Sequence, residues 1–356
     1  MNEPVEDART APGEPPLPPA PPTSRFGQRL AVGALIGLVV YGLMALWADF
    51  DGLVRAMRQL PLARVAEALV LASAGYLARF VRWERYRMRL GIQLERGTSL
   101  MIFLAGFAGT VSPGKLGEAL KSWLVREVDG SPLSRTAPIV VAERITDLLA
   151  LLMLIAIGGL GSHPEYAWMF WATLGVCGAL IVPLAWPALA KRLMGPLDLL
   201  PGASQITPRV DRALDSTALL MAPRELPLAI LPALAAWGLE ALAFQRLASP
   251  FFATGPEYTF ALFAFCLPLV AGAVAIFTPG GLGVTEGLMA TLLVERLTLG
   301  GLATGVAGGA AAAITMVTRL CTLWFALAVG LTALVLFRRS RGRAAPARAS
   351  GAATGS

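Results

Sequence analysis

Charge is scarce in this chain. Only 15% of its 356 residues are Asp, Glu, Lys or Arg, while 56% are apolar. A soluble domain carries about 25% charged residues, so the composition excludes an ordinary cytosolic enzyme and a disordered chain. Histidine occurs once, at His163, and cysteine three times, at Cys177, Cys266 and Cys321. Those three cysteines lie in apolar runs without metal-ligand or disulfide spacing. One histidine excludes an H-E-x-x-H zinc site. A G-x-S-x-G nucleophile with a histidine partner and a Walker A loop are also missing. No catalytic constellation is present, and none of the residues calls for a cofactor or a metal. The formal net charge of +7 does not point to nucleic acid, because the arginines sit in short stretches between long apolar runs. That is the pattern of a cytoplasmic membrane face.

Residues 1–24 contain eight prolines between Pro4 and Pro22, together with Glu3, Glu6, Asp7 and Glu14. Such a stretch buries no core and is expected to be a disordered tail. Six apolar segments approach the roughly 20 residues a spanning helix requires: Leu30–Ala48, Leu62–Val81, Pro138–Leu160, Ala167–Ala188, Leu226–Ala248 and about Gly301–Phe337. Leu30–Ala48 reads as an anchor, not a cleaved signal. Two more apolar regions, 98–127 and 258–296, are interrupted by Pro113-Gly114-x-x-Gly117 and by Pro279-Gly280-Gly281-x-Gly283. Proline removes a helical donor and glycine has little helical preference, so each region is expected to form two helical arms around a non-helical tip.

Arginine distribution suggests sidedness. The stretch Arg79–Arg96 with its six arginines, the stretch Lys121–Arg135 and the loop 189–225 are expected in the cytoplasm, as is a basic tail at 338–356. A surface helix is expected around Val210–Met221. Asp49–Pro61, despite Arg55 and Arg58, is expected to be an external loop. The fold class that follows is an all-α polytopic membrane domain over residues 25–337. It has about six spans and two oppositely oriented re-entrant hairpins. Both termini lie inside. Span, hairpin and arginine-bearing span occur in the same order twice with opposite sidedness, an inverted repeat of the kind that places transport sites near the bilayer midplane.

Ionisable groups deep in a bilayer are costly and mark function or pairing. The candidates are Glu143, Arg144 and Asp147 on one helix, Glu240, Arg319, and Lys115, Glu118, Lys121 and Glu286 near the hairpin tips. The arginines suit a phosphate group. The helix starts after each Pro-Gly turn offer free N–H groups to the same oxygens, and the carboxylates suit a cationic moiety or a proton. Blander roles are expected elsewhere. Trp47, Trp83, Trp168, Trp186 and Trp324 read as interfacial anchors, Arg79–Arg89 as a lipid-phosphate-touching stretch, and Gly305, Gly308 and Gly309 as helix-packing positions.

Together, Arg79-x-x-Arg82-Trp83, Pro113-Gly-Lys-Leu-Gly117-Glu118-Ala-Leu-Lys121, Glu143-Arg144-x-x-Asp147, Pro279-Gly-Gly-Leu-Gly283-Val-Thr-Glu286 and Arg319 resemble the transmembrane region of lysylphosphatidylglycerol synthases, a flippase-like family. The resemblance covers about residues 28–337. It implies an integral protein of a prokaryotic cytoplasmic membrane that moves a lipid or lipid-linked intermediate between leaflets. It does not bring the synthase reaction, since no counterpart of the soluble aminoacyl-transferase is seen. Lys115 and Lys121 stand where similar proteins often have arginine, which keeps the charge and loses the planar fork. The alternatives are a non-transporting scaffold for a separate lipid-modifying enzyme and a lipid transferase using Glu143 or Asp147 as base.

Overall fold

The computed structural model describes residues 23–111, 119–162, 164–185, 192, 203–275 and 278–352. The first Pro-Gly turn with Pro113, Gly114, Lys115, Gly117 and Glu118 therefore lies outside the described residues, as do the N-terminal 22 residues, His163 and Trp186. Among the described residues the secondary structure is helical throughout. The helices are α1 Thr23–Trp47, α2 Phe50–Gln59, α3 Leu62–Arg89, α4 Arg96–Ala105, α5 Ala119–Asp129, α6 Leu133–Ile157 and α7 Ala167–Ala185. The second half of the chain adds α8 Ala203–Leu220, α9 Leu226–Ala248, α10 Tyr258–Val274, α11 Val284–Leu299, α12 Thr304–Arg319 and α13 Phe325–Ala352.

Local chemistry sets the breaks. Asp49 adopts a positive φ of 62° and its carboxylate accepts the Gly52 N–H at 3.3 Å, capping α2. That cap starts a new helix where an external loop is expected, and α2 turns 100° away from α1. Pro61 and Pro132 precede α3 and α6, where a missing N–H costs nothing. Five residues of π-helix, Leu320–Trp324, join α12 to α13. The two therefore continue as one apolar helix from Thr304 to Arg341. Together with Leu226–Phe251 this makes two helices long and apolar enough to cross a membrane among the described residues, and the bent pair α1–α2 makes a third if the two count as one span. Of the other expected spans, α7 is 19 apolar residues without a charged side chain. α3 and α6 carry ionisable groups along their length, and α10, the first arm of the second broken region, has 17 residues.

The packing is organised around the two broken regions. One core cluster surrounds α10 and α11, with Phe263, Phe265, Met289 and Leu293 fully buried against α6, α9 and α12. A second surrounds α4 and α5, with Ile102, Phe103, Leu124 and Val125 buried against α3, α6 and α13. Between membrane helices such clusters are held by van der Waals packing and interhelical hydrogen bonds, since lipid tails are as apolar as these side chains. Between the clusters α3 and α9 lie side by side, close enough that a Cβ on Gly75 would sit 3.3 Å from the Ala236 carbonyl oxygen. Gly309 of α12 meets α2 more tightly still. Its Cβ would fall 2.7 Å from the Gly52 carbonyl carbon, whereas Gly305 and Gly308 face open space.

The basic stretch after Val81 is not a loop. α3 runs on to Arg89, and Arg79, Arg82 and Arg87 are buried. The physical reason is pairing. Each of these guanidiniums meets a carboxylate, Arg79 on Glu240, Arg82 on Asp147 and Arg87 on Glu84. Trp83 is likewise no interfacial anchor. It is buried between Phe103 and Lys121, and its indole N–H donates to Ser99 Oγ at 3.0 Å. Trp47 and Trp168 are exposed as expected, while Trp324 donates to the Tyr41 hydroxyl. The helix expected around Val210 exists as α8, but it packs against α6 and buries Thr217 and Leu220. Lys121, expected at a loop edge, is inside α5 and buried.

Candidate functional site

The second break is set by three glycines. Gly280, Gly281 and Gly283 have φ of 62°, 73° and 91°, a region that side chains rarely enter. Gly281 also lies against Gly272 of α10, so a Cβ there would come within 3.0 Å of the Gly272 Cα. The Gly280 backbone reaches the end of the first break, where an added Cβ would lie 3.4 Å from the Thr110 oxygen and 3.7 Å from the Val111 Cα. The two broken regions thus meet, and Val111, Leu282 and Leu323 form a small buried cluster at the meeting point, covered by Ile36 and Val40 of α1.

Each returning arm is tied to the helix that follows it by a buried ion pair. In the first region, Lys121 of α5 bonds Glu143 of α6. In the second, Arg319 of α12 donates through Nε to Glu286 Oε1 of α11 at 2.5 Å. The order of charges is reversed between the two. Glu286 is fully buried, and its other oxygen accepts the Gly283 N–H at 2.6 Å, which closes the start of α11. Arg319 uses Nη2 to hold the Gly280 carbonyl at 3.1 Å. One guanidinium therefore grips both the turn and the arm that leaves it.

A third set of charges lies between the regions. Arg79 pairs with Glu240 of α9 at 2.6 Å and its guanidinium sits 4.3 Å from the centre of the Trp237 ring. Arg82 pairs with Asp147 at 2.8 Å and also donates to Thr146. Asp147 holds Arg144 with its second oxygen at 3.3 Å and accepts from the Trp237 indole. Ionised pairs buried in this way are held by the bonds around them, since each charge alone would be strongly penalised.

These groups surround a cavity of about 120 Å³. Its polar walls come from Arg79, Arg144, Arg319, Asp147, Glu240, Thr110 and Thr285, and its apolar walls include Tyr76, Phe107, Trp237 and Leu269. A second lobe of about 300 Å³ opens beside it. The two share Arg144, Asp147, Trp237, Leu269, Gly272, Ala273 and Gly280, and the second lobe adds Val140, Leu148 and Leu151 of α6 with Ala275, Thr278 and Gly281. A charged chamber therefore adjoins an apolar one at the seam between α6 and α10.

Of the residues singled out in the sequence, Arg144, Asp147, Glu240, Arg319 and Gly280 line the chamber. Gly281 lines the second lobe, and Pro279 opens the one-turn helix of the break. Lys121, Glu143 and Glu286 do not reach the cavity. They stand behind it, as anchors of the returning arms. Arg144 differs from Arg319 in burial, with its side chain 36% exposed against 4%. Arg79, Tyr76 and Trp237 were not singled out as site residues, because Arg79 reads as the first member of a basic run. A usable signal exists in the spacing: Gly75, Arg79, Arg82 and Tyr86 recur at three and four residues, the period of one helical face.

The chamber, beside the glycine break at 280–283, accords with a membrane protein of lipid metabolism or transport. Comparison with curated proteins yields no match. The family comparison covers residues 34–330, from within α1 to within α13, and includes every residue of the cavity. The chain belongs to the family of the lysylphosphatidylglycerol synthase TM region.

Proposed function

We propose that this protein is a lipid flippase, or a transporter of a lipid-linked intermediate, that carries no enzymatic activity of its own. The single observation that carries this reading is the two-lobed cavity. Its charged lobe suits a phosphate-bearing head group, with Arg79, Arg144 and Arg319 as donors. Its apolar lobe, at the α6–α10 seam, suits the glycerol and the first methylenes of the chains. The tails stay in the bilayer while the head crosses.

In this reading α3–α6 and α9–α12 are the two halves of an inverted repeat, and α4–α5 and α10–α11 are re-entrant hairpins entering from opposite faces. Both termini lie in the cytoplasm of a prokaryote. The reversed ion pairs, Lys121–Glu143 and Arg319–Glu286, hold each hairpin to its own half. The halves then rock against each other along the α3–α9 contact. Lys115 and Glu118 are further candidates from the sequence and lie outside the described residues.

The test is translocation of a fluorescent phospholipid in proteoliposomes. Arg144→Ala and the paired variant Glu286→Gln/Arg319→Gln, each checked for folding, are expected to slow translocation by about tenfold or more, the effect of losing one charge-assisted contact. Wild-type rates in both refute the proposed site. If the wild-type protein moves no lipid but co-purifies with a lipid-modifying enzyme, a scaffold role replaces transport.

A further inference from the structure

α2 carries three kinds of residue on three faces, and each face calls for a different neighbour. Gly52, Leu53 and Ala56 are buried on the side of α12, with Gly52 seated on Gly309. Phe50, Val54 and Met57 recur at intervals of four and three residues, the spacing of one helical face. Phe50 is 64% exposed and follows Trp47, which is 59% exposed at the end of α1. Asp51, Arg55 and Arg58 recur at the same intervals on a third face, and all three are exposed. Arg55 lies 4.0 Å from Asp49, with 69% of its side chain exposed.

Neither water nor hydrocarbon alone suits this helix. Water leaves Trp47, Phe50 and Met57 uncovered, and hydrocarbon strands Asp51, Arg55 and Arg58 at high cost. Both faces are satisfied at the boundary between acyl chains and head groups, where apolar side chains sink and arginines reach phosphate. The fold puts α2 there. α1 is 25 residues long and apolar from Leu30 onward, so it crosses the hydrocarbon without help from α2. Its Leu35, Leu38 and Leu46 are exposed, as side chains facing lipid are. α2 then turns 100° away from α1, which lays it along the bilayer surface at the far end of that span. We infer that α2 is an interfacial helix docked on the phospholipid leaflet at the far end of α1, with Phe50, Val54 and Met57 in the acyl boundary and the guanidiniums of Arg55 and Arg58 on lipid phosphates. The partner is the bilayer surface and not a lipid in the cavity, so the inference does not rest on transport. It accounts for two arginines in a stretch that the sequence reads as external, since phosphate holds them at the surface. Through Gly52 and Gly309 the surface also fixes one end of α12, whose other end carries Arg319.

The test uses the full-length protein in vesicles of equimolar phosphatidylcholine and phosphatidylglycerol. Cys177, Cys266 and Cys321 are replaced by alanine, and a nitroxide is attached through one of Phe50→Cys, Asp51→Cys, Val54→Cys, Arg55→Cys or Met57→Cys, each checked for helical content. Collisions with oxygen, which concentrates in hydrocarbon, are compared with collisions with a water-soluble nickel chelate. The oxygen-to-nickel ratio is expected to be several-fold higher at positions 50, 54 and 57 than at 51 and 55. Equal ratios at all five positions, water-like or hydrocarbon-like, overturn the inference. So does shielding of 50, 54 and 57 from both reagents, which places them under protein. The phosphate contacts are read separately by solid-state NMR on protein with its native cysteines and arginines isotope-labelled at Cζ, as dephasing of the Cζ signal by lipid phosphorus. Arg55→Gln/Arg58→Gln is expected to remove part of the dephased signal while leaving the helical content unchanged. A dephased signal equal to that of the wild type overturns the docking on phosphate. Translocation of lipid, present or absent, bears only on the transport reading.

Discussion

Glu286→Gln tests how the second hairpin is held. The carboxylate is fully buried and has two partners, Arg319 Nε at 2.5 Å and the Gly283 N–H at 2.6 Å. Glutamine keeps the shape but offers one acceptor where two are required. Its amide nitrogen must face either the guanidinium or the backbone N–H, so one donor is lost. The Arg319 charge is then left without its counter-ion in a site where the arginine side chain is only 4% exposed. Removing one member of a buried pair costs about 3–5 kcal/mol, more than most single substitutions cost. Adding Arg319→Gln removes the stranded charge and lets two amides pair, while the amide oxygen at position 286 still accepts the Gly283 N–H. The double variant is expected to recover about 2 kcal/mol relative to the sum of the singles. Reversible unfolding in mixed micelles, followed by the far-UV helical signal, measures all four corners of the cycle. A Glu286→Gln protein within about 0.5 kcal/mol of wild type, or a double variant that is strictly additive, refutes the pairing as the hairpin's anchor.

Other expectations follow from close backbone approaches and one buried hydrogen bond. Gly281→Ala places a side chain at φ 73° and within 3.0 Å of the Gly272 Cα. It is expected to lower thermal stability by about 1–3 kcal/mol and to increase proteolysis at the second turn. Gly309→Val forces α12 from α2, where the Gly52 carbonyl carbon lies 2.7 Å from the position of the first added carbon. A disulfide engineered between these helices is expected to form more slowly in that variant. Gly330→Ala meets the Phe107 carbonyl carbon at 2.6 Å and is expected to loosen α13 from the first hairpin, read as faster amide exchange over 106–111. Trp83→Phe removes the donor to Ser99 and the indole face beside Lys121, with an expected loss of about 1–2 kcal/mol measured by thermal unfolding.

Several features are legible without the fold because their causes are local. Composition marks the membrane class, since 15% charge cannot cover a soluble surface of this size. Pro279 with Gly280, Gly281 and Gly283 marks a break, since proline and glycine act on the dihedrals of their own neighbourhood. The helix at 50–59 follows from Asp49 and Gly52 three residues apart, a cap that a loop assignment overlooks when only apolar length is counted. Arg144, Asp147, Glu240 and Arg319 stand out because a charge within an apolar run is costly wherever that run lies.

What the chain alone determines, then, is where helices begin, where two of them break and which apolar runs hold a charge. The tertiary structure decides which charges meet. Arg79 and Glu240 are 161 positions apart, and Arg319 and Glu286 are 33. Neither partnership has a sequence signature, because a Coulomb interaction depends on distance in space and on the water excluded around it. The same packing turns a basic run into part of a cavity wall, moves Lys121 and Glu143 behind that wall, and makes two arginines share Asp147.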